Sequence, residues 1–145
     1  MNTIERRIRA YIINQLCDMA VAPSVAELSV ALQISPAAVS ASLHSLAEQH
    51  RLVLQPGSDA IWMIHPFSGI ATDFVVRAQG RRWYANCVWD GLSILGLVGD
   101  GWLETHCPQS GAAITLDVQN AGVAGDAIVH FLVPAKRFWD DIGFT

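Results

Sequence analysis

The stretch RRWYANCVWDGL, residues 81–92, decides the fold because a strand-like run gives way to a helix-like run within it. The segment DFVVRA, the turn Gln79-Gly80 and the segment RRWYAN together have the pattern of a β-hairpin. The segment CVWDGLSILGLVG then has the composition of a buried helix. The sequence therefore predicts a hairpin that leads directly into a helix, with Asn86 as the helix N-cap and Cys87 in the first turn.

Cys87 and Asp90 are the candidate site residues of this segment. A helix N-terminus stabilises a thiolate through its backbone N–H groups and dipole, which would make Cys87 the most reactive cysteine and the more buried Cys17 slower to react. Asp90 lies one turn further on, where a carboxylate can accept the thiol proton and later return it. The same pattern also fits a packed thiol and an ordinary acid at a helix start, so spacing alone leaves both interpretations open.

The N-terminal half predicts three helices followed by a β-hairpin. Residues 3–20 have amphipathic helical spacing, residues 24–32 begin with a capping box, and residues 35–50 begin with a serine cap and a proline. Residues 51–64 read as two short strands around Pro56-Gly57. This order is typical of a winged helix-turn-helix, so we predict a winged-helix-like region over residues 1–64 and a second domain over residues 65–145.

Charge argues against a nucleic-acid partner. No lysine or arginine lies between Arg9 and Arg51, and the chain carries a formal net charge of −4. Phosphate contacts require cationic side chains, so we predict no sequence-specific DNA binding by the third helix.

No apolar run reaches the length of a membrane span, so we expect no membrane partner. The three cysteines have no paired spacing and are predicted to be free thiols, so we expect a cytoplasmic protein.

The second half predicts segregated strands and helices, and hence an α+β fold with antiparallel strands. Residues 112–118 and 127–133 read as strands, and Pro134 opens a short helix over residues 135–141. The histidines of this half lack ligand spacing and are predicted to be structural: His65, His106 and His130. Four tryptophans are predicted to serve core packing, with a pocket for an apolar organic group as the alternative: Trp83, Trp89, Trp102 and Trp139.

The segment RRWYANCVWDGLSILGLVG resembles the alkylmercury lyases, or organomercurial lyases. HPFSG precedes it, THCPQSG follows it and VHFLVPAKRFWDDIGFT ends the chain, in the order in which that family has its segments. The resemblance covers residues 65–145, and a weaker likeness covers the N-terminal region. It implies a small, mixed α/β lyase-like domain after the winged-helix-like region.

The resemblance implies protonolysis of a carbon–mercury bond in an organomercurial. The cysteine that matches Cys87 binds the substrate mercury. The aspartate that matches Asp90 also lies at the mercury, where it takes a thiol proton and delivers it to the departing carbon. The products are a hydrocarbon and Hg(II), which a mercuric reductase would accept. No cofactor is implied, and soft thiolates suit a soft metal.

The sequence departs from the family at the second catalytic cysteine. Its expected position is at or just beyond Thr145, so the chain is either truncated there or lacks that thiol. Cys107 matches a family cysteine with a structural role, and external thiols would be the other source of sulfur. The alternatives are therefore a non-catalytic mercury- or metal-binding homologue and a winged-helix regulatory or interaction module.

Overall fold

The computed structural model describes residues 1–125 and 128–143, and it begins with three helices. Each helix starts at a side-chain cap, because Asn2, Ser24 and Ser35 accept hydrogen bonds from backbone N–H groups of the first turn. The predicted capping box between Ser24 and Glu27 is present. The helices are α1 (Thr3–Met19), α2 (Val25–Leu32) and α3 (Pro36–Glu48).

A small antiparallel sheet follows the helices. Its strands are β1 (Val53–Leu54), β2 (Ile61–Ile64) and β3 (Phe67–Ser68), in that spatial order. β1 and β2 form the predicted hairpin, whereas β3 was not predicted. The helices and the hairpin occur in the predicted order, but their assignment as a winged helix stays a prediction.

A second, five-stranded antiparallel sheet carries the rest of the fold. Its spatial order is β5-β4-β6-β7-β8, with the predicted hairpin of β4 and β5 at one edge. The helix α4 packs against β4 and β6. The element bounds are β4 (Val75–Ala78), β5 (Arg81–Tyr84), α4 (Val88–Val98), β6 (Gly101–His106), β7 (Ala113–Gln119) and β8 (Gly122–Ala124).

Several strand assignments of this half differ from the prediction. β6 lies in the middle of the sheet and β8 at one edge, yet no strand was predicted at either position. The strand predicted over 127–133 is wrong for residues 128–133, which form none, while Ala127 lies outside the described residues. Ile128 and Leu132 are 93% and 76% exposed, so their side chains gain little of the packing that would stabilise a strand. The short helix after Pro134 is present as a 3-10 helix over Ala135–Asp140.

Buried side chains from both sheets and all four α-helices belong to one hydrophobic cluster. Within it, the indole N–H of Trp83 on β5 donates to the carbonyl of Leu16 on α1 over 2.6 Å. The mixed helices and antiparallel sheets confirm the predicted α+β class. The division into domains at residues 64 and 65 stays a prediction.

None of the α-helices among the described residues is, by itself, long and apolar enough to cross a membrane. The pair α2 and α3 meets that criterion of length and composition only when taken together, with a bend of 112° between them.

Candidate active site

Cys87 is the N-cap of α4, and not a residue of its first turn as predicted. Its backbone is extended, and its Sγ accepts a hydrogen bond from the backbone N–H of Asp90 over 3.5 Å. Asn86 is therefore not the cap. Its side-chain N–H₂ group donates instead to the carboxylate of Asp90 and to the carbonyl of Phe67.

The carboxylate of Asp90 is buried, with only 12% of its side chain exposed. A buried carboxylate is costly unless its oxygens are satisfied, and here each oxygen has a donor. His65 Nδ1 lies 2.6 Å from Oδ1, and Asn86 Nδ2 lies 2.8 Å from Oδ2. The structure thus places the two predicted site residues, Cys87 and Asp90, side by side and adds two further polar contacts.

His65 is a site residue that the sequence did not reveal. It lies in the turn between β2 and β3, 25 positions before Asp90, and 66% of its side chain is exposed. Its prediction as a structural histidine missed the contact with Asp90. The segment HPFSG was part of the family resemblance, but it carried no indication of what its histidine contacts.

Burial raises the pKa of the Cys87 thiol, and the charge of Asp90 adds to that effect. The backbone N–H groups of Asp90 and Trp89 act in the opposite direction, but burial is the largest influence. The predicted stabilisation of a Cys87 thiolate by the helix end is thus present but outweighed. In the resting protein a neutral thiol is favoured, so a base beside it is needed to remove the proton.

The other two cysteines differ from Cys87 in opposite ways. Burial raises the pKa of the Cys17 thiol, and the charge of Asp18 raises it further. Hydrogen bonds from Ser110, first from its side chain and then from its backbone, lower the pKa of the Cys107 thiol. All three cysteines are free. Cys107 therefore carries the lowered pKa that was predicted for Cys87.

No group of three His, Cys, Asp or Glu side chains that could hold a metal ion occurs in the part of the chain that the structure describes. Among the other predicted structural histidines, His106 and His130 are exposed. Thr145, where the second cysteine was expected, lies outside the described residues.

The tryptophans divide between the core and the surface. Trp83 is 1% exposed and packs in the core, as predicted. The core prediction is wrong for Trp89, Trp102 and Trp139, which are 59%, 43% and 42% exposed. Trp89 follows Cys87 by two residues, so an exposed aromatic surface lies close in sequence to the candidate thiol.

Comparison with known proteins identifies a family and a solved structure of similar fold. The family model MerB, alkylmercury lyase, matches residues 67–145, which is more than half of the chain. The crystal structure of the mercury-bound form of MerB2 has a similar fold, with a TM-score of 0.70 and 22% sequence identity. The similarity covers 86% of this chain and 60% of the MerB2 chain. The comparison with curated proteins gives no significant match.

Proposed function

The chain belongs to the alkylmercury lyase family, and we propose that it cleaves the carbon–mercury bond of organomercurials by protonolysis at Cys87 and Asp90. The observation that carries the proposal is the hydrogen bond between the Cys87 side chain and the backbone of Asp90, beside the fixed Asp90 carboxylate. Sγ accepts the Asp90 backbone N–H, while the buried Asp90 carboxylate is held at both oxygens. A thiol can bind the metal and an oriented carboxylate can carry the proton, so the protein itself supplies these two groups of the proposed reaction.

The proposed reaction begins when the Cys87 thiol gives its proton to the Asp90 carboxylate. The resulting thiolate forms a sulfur–mercury bond and displaces the substrate's anionic ligand. A second thiol, supplied by a small molecule, loses its proton to water and binds as a thiolate, which adds another sulfur–mercury bond because soft sulfur ligands suit this soft metal. Binding by two sulfurs increases the negative charge on the mercury-bound carbon.

The carbon–mercury bond then breaks with its electron pair going to carbon, and the Asp90 proton adds to that carbon. The products are a hydrocarbon and a dithiolate of Hg(II), so mercury keeps its oxidation state throughout. No resident cofactor takes part in this scheme. Hg(II) then leaves the protein bound to small thiols, and a mercuric reductase is the proposed acceptor of this ion.

The test is benzene release from a phenylmercury salt in the presence of excess small thiol, corrected for release by thiol alone. We expect Cys87→Ser to abolish release, and Asp90→Asn to reduce it by roughly 10²–10⁴-fold while mercury binding persists, because general acid–base catalysis contributes about that much. Cys107→Ser is the matched control and should release benzene at the wild-type rate. Wild-type release equal to the thiol background would overturn the proposal.

A non-catalytic mercury-binding protein is the second candidate. It is favoured by the position of the other two cysteines, because Cys17 lies on α1 and Cys107 follows β6, whereas Cys87 caps α4. Such a protein would bind phenylmercury stoichiometrically at Cys87 without releasing benzene. The same assay therefore separates the two candidates when bound mercury and free benzene are both measured.

A further inference from the structure

We infer that His65 is a positioning residue, which orients the Asp90 carboxylate by donating a hydrogen bond to its Oδ1. The inference rests on the proposed function, because proton transfer is the step that needs a fixed carboxylate. Nδ1 of His65 and Oδ1 of Asp90 are 2.6 Å apart. An ionised carboxylate only accepts hydrogen bonds, so the proton of this contact belongs to Nδ1.

The two contacts of the carboxylate come from different parts of the fold. Asn86 immediately precedes the N-cap of α4, so its contact with Oδ2 is local to the segment that carries Cys87. His65 belongs to the turn between β2 and β3, outside that segment. Rotation of the carboxylate about its Cβ–Cγ bond breaks both contacts at once. Without His65, only the local contact remains to resist that rotation.

Exposure separates the roles of the two partners. The His65 side chain is 66% exposed and that of Asp90 is 12% exposed. An imidazole so exposed adds little to the hydrophobic core, so its removal should change mainly the orientation of the Asp90 carboxylate. Proton transfer depends on the direction of the carboxylate lone pairs, and small misplacements of a reacting group reduce rates strongly.

The molecule contains a second exposed histidine that pairs with an aspartate. His44 Nε2 lies 2.8 Å from Asp59 Oδ1, with side chains 59% and 35% exposed. This pair joins α3 to the turn of the β1–β2 hairpin, whereas Cys87 and Asp90 belong to α4 and its N-cap. Substitutions of His44 therefore reproduce the loss of an exposed histidine–aspartate pair without touching the proposed site.

The first part of the test compares His65→Leu with His65→Asn in the phenylmercury assay with excess thiol. Asparagine places an amide N–H two bonds from Cβ, as histidine places Nδ1, so it can donate to Oδ1. We expect His65→Leu to lower kcat roughly tenfold to a hundredfold with KM and mercury binding within about twofold of wild type. His65→Asn should recover most of that loss, and His44→Leu should keep the wild-type rate. A wild-type kcat in His65→Leu would overturn the inference.

The second part needs no activity. Long-range ¹H–¹⁵N correlation spectra report which imidazole nitrogen carries the proton. We expect His65 to keep its proton on Nδ1, with a downfield N–H resonance that moves upfield in Asp90→Ala and is unchanged in Asp59→Ala. If the wild type releases no benzene, protonolysis fails, and this spectrum alone decides whether His65 holds Asp90. An Nε2–H tautomer, or a resonance insensitive to Asp90→Ala, would overturn the inference.

Discussion

The environments of the three cysteines give them different acidities. Hydrogen bonds from Ser110 lower the pKa of the Cys107 thiol, whereas burial raises the pKa values of Cys17 and Cys87. A lowered pKa means a larger thiolate fraction at neutral pH, and the thiolate is the species that reacts with alkylating agents. We therefore expect Cys107 to be the most reactive thiol of the free protein, whereas the proposed function places the substrate on Cys87.

We expect Cys107 to be alkylated first by iodoacetamide at neutral pH, before Cys87 and Cys17. Labelling of Cys87 should increase steeply only as the pH rises past 9.0, the ordinary value for this thiol, because its pKa lies above that value. Mass-spectrometric mapping of labelled peptides between about pH 6 and 10 measures this order. Faster labelling of Cys87 than of Cys107 at neutral pH would contradict it, and Cys107→Ser controls for peptide assignment.

The local part of the site was predictable and the distant part was not. Cys87 and Asp90 lie within one helical turn, so the sequence alone places them together. His65 reaches Asp90 through the pairing of β2 with β3 and the bridge between Phe67 and Ala85, which no local pattern encodes. Asn86 is a good cap by type, but its side-chain N–H₂ group donates to Asp90 and to the carbonyl of Phe67, and the second of these acceptors comes from a distant part of the chain.

At the level of elements, the close approach of α4 to β6 depends on a glycine. A Cβ atom at Gly91 would lie 2.7 Å and 2.9 Å from the two Cδ atoms of Leu103. Leu103 is fully buried, so moving its side chain away would disturb the packing around it. Gly96 lies on the same helix, and a Cβ atom there would meet nothing within 4 Å.

We therefore expect Gly91→Ala and Gly96→Ala to have opposite effects on stability. Gly91→Ala should destabilise the protein by about 1–3 kcal/mol through overpacking. Gly96→Ala should stabilise it by roughly 0.5–1 kcal/mol, because alanine is the better helix former at an unobstructed position. Urea unfolding followed by circular dichroism measures both. Equal effects of the two substitutions would show that the helix does not approach β6 as closely as described.

The elements that were predicted well have local signals. Caps at Ser24 and Ser35 and the turn at Gln79-Gly80 mark their helices and hairpin directly. β6 was not predicted from the sequence. Two of its three buried positions are Gly101 and Thr105, which weaken the alternation of apolar and polar residues that marks a strand. The apolar run 128–133 has the composition of a strand, but strand composition stabilises only where a sheet or core covers it.

At the level of the whole molecule, the candidate site lies where the two sheets meet. His65 comes from the turn between β2 and β3, while Cys87 and Asp90 come from α4 and its N-cap. The buried cluster also contains residues from both predicted domains. The geometry of the site therefore depends on how firmly the N-terminal helices and the five-stranded sheet are held together.

Trp83 is the residue on which we expect that coupling to depend. It is 1% exposed on β5, and its indole N–H donates to the carbonyl of Leu16 on α1. Trp83→Phe removes this hydrogen bond and leaves a cavity, for which we expect a loss of about 2–4 kcal/mol. Trp102→Phe is the matched control, because it also removes an indole donor, here to Glu104, but at a position 43% exposed. Its effect should stay within about 1 kcal/mol.

The coupling itself is measured by native-state hydrogen exchange of α1 and α3 amides beside those of β4, β6 and β7. If the shared core makes one cooperative unit, Trp83→Phe lowers the protection of both groups by the same free energy, because both open in one global unfolding event. Trp102→Phe should leave both groups close to wild type. Loss of protection confined to the five-stranded sheet would show that the helices fold independently. The predicted boundary at residues 64 and 65 would then separate two energetically distinct domains, with His65 and its contact with Asp90 at their junction.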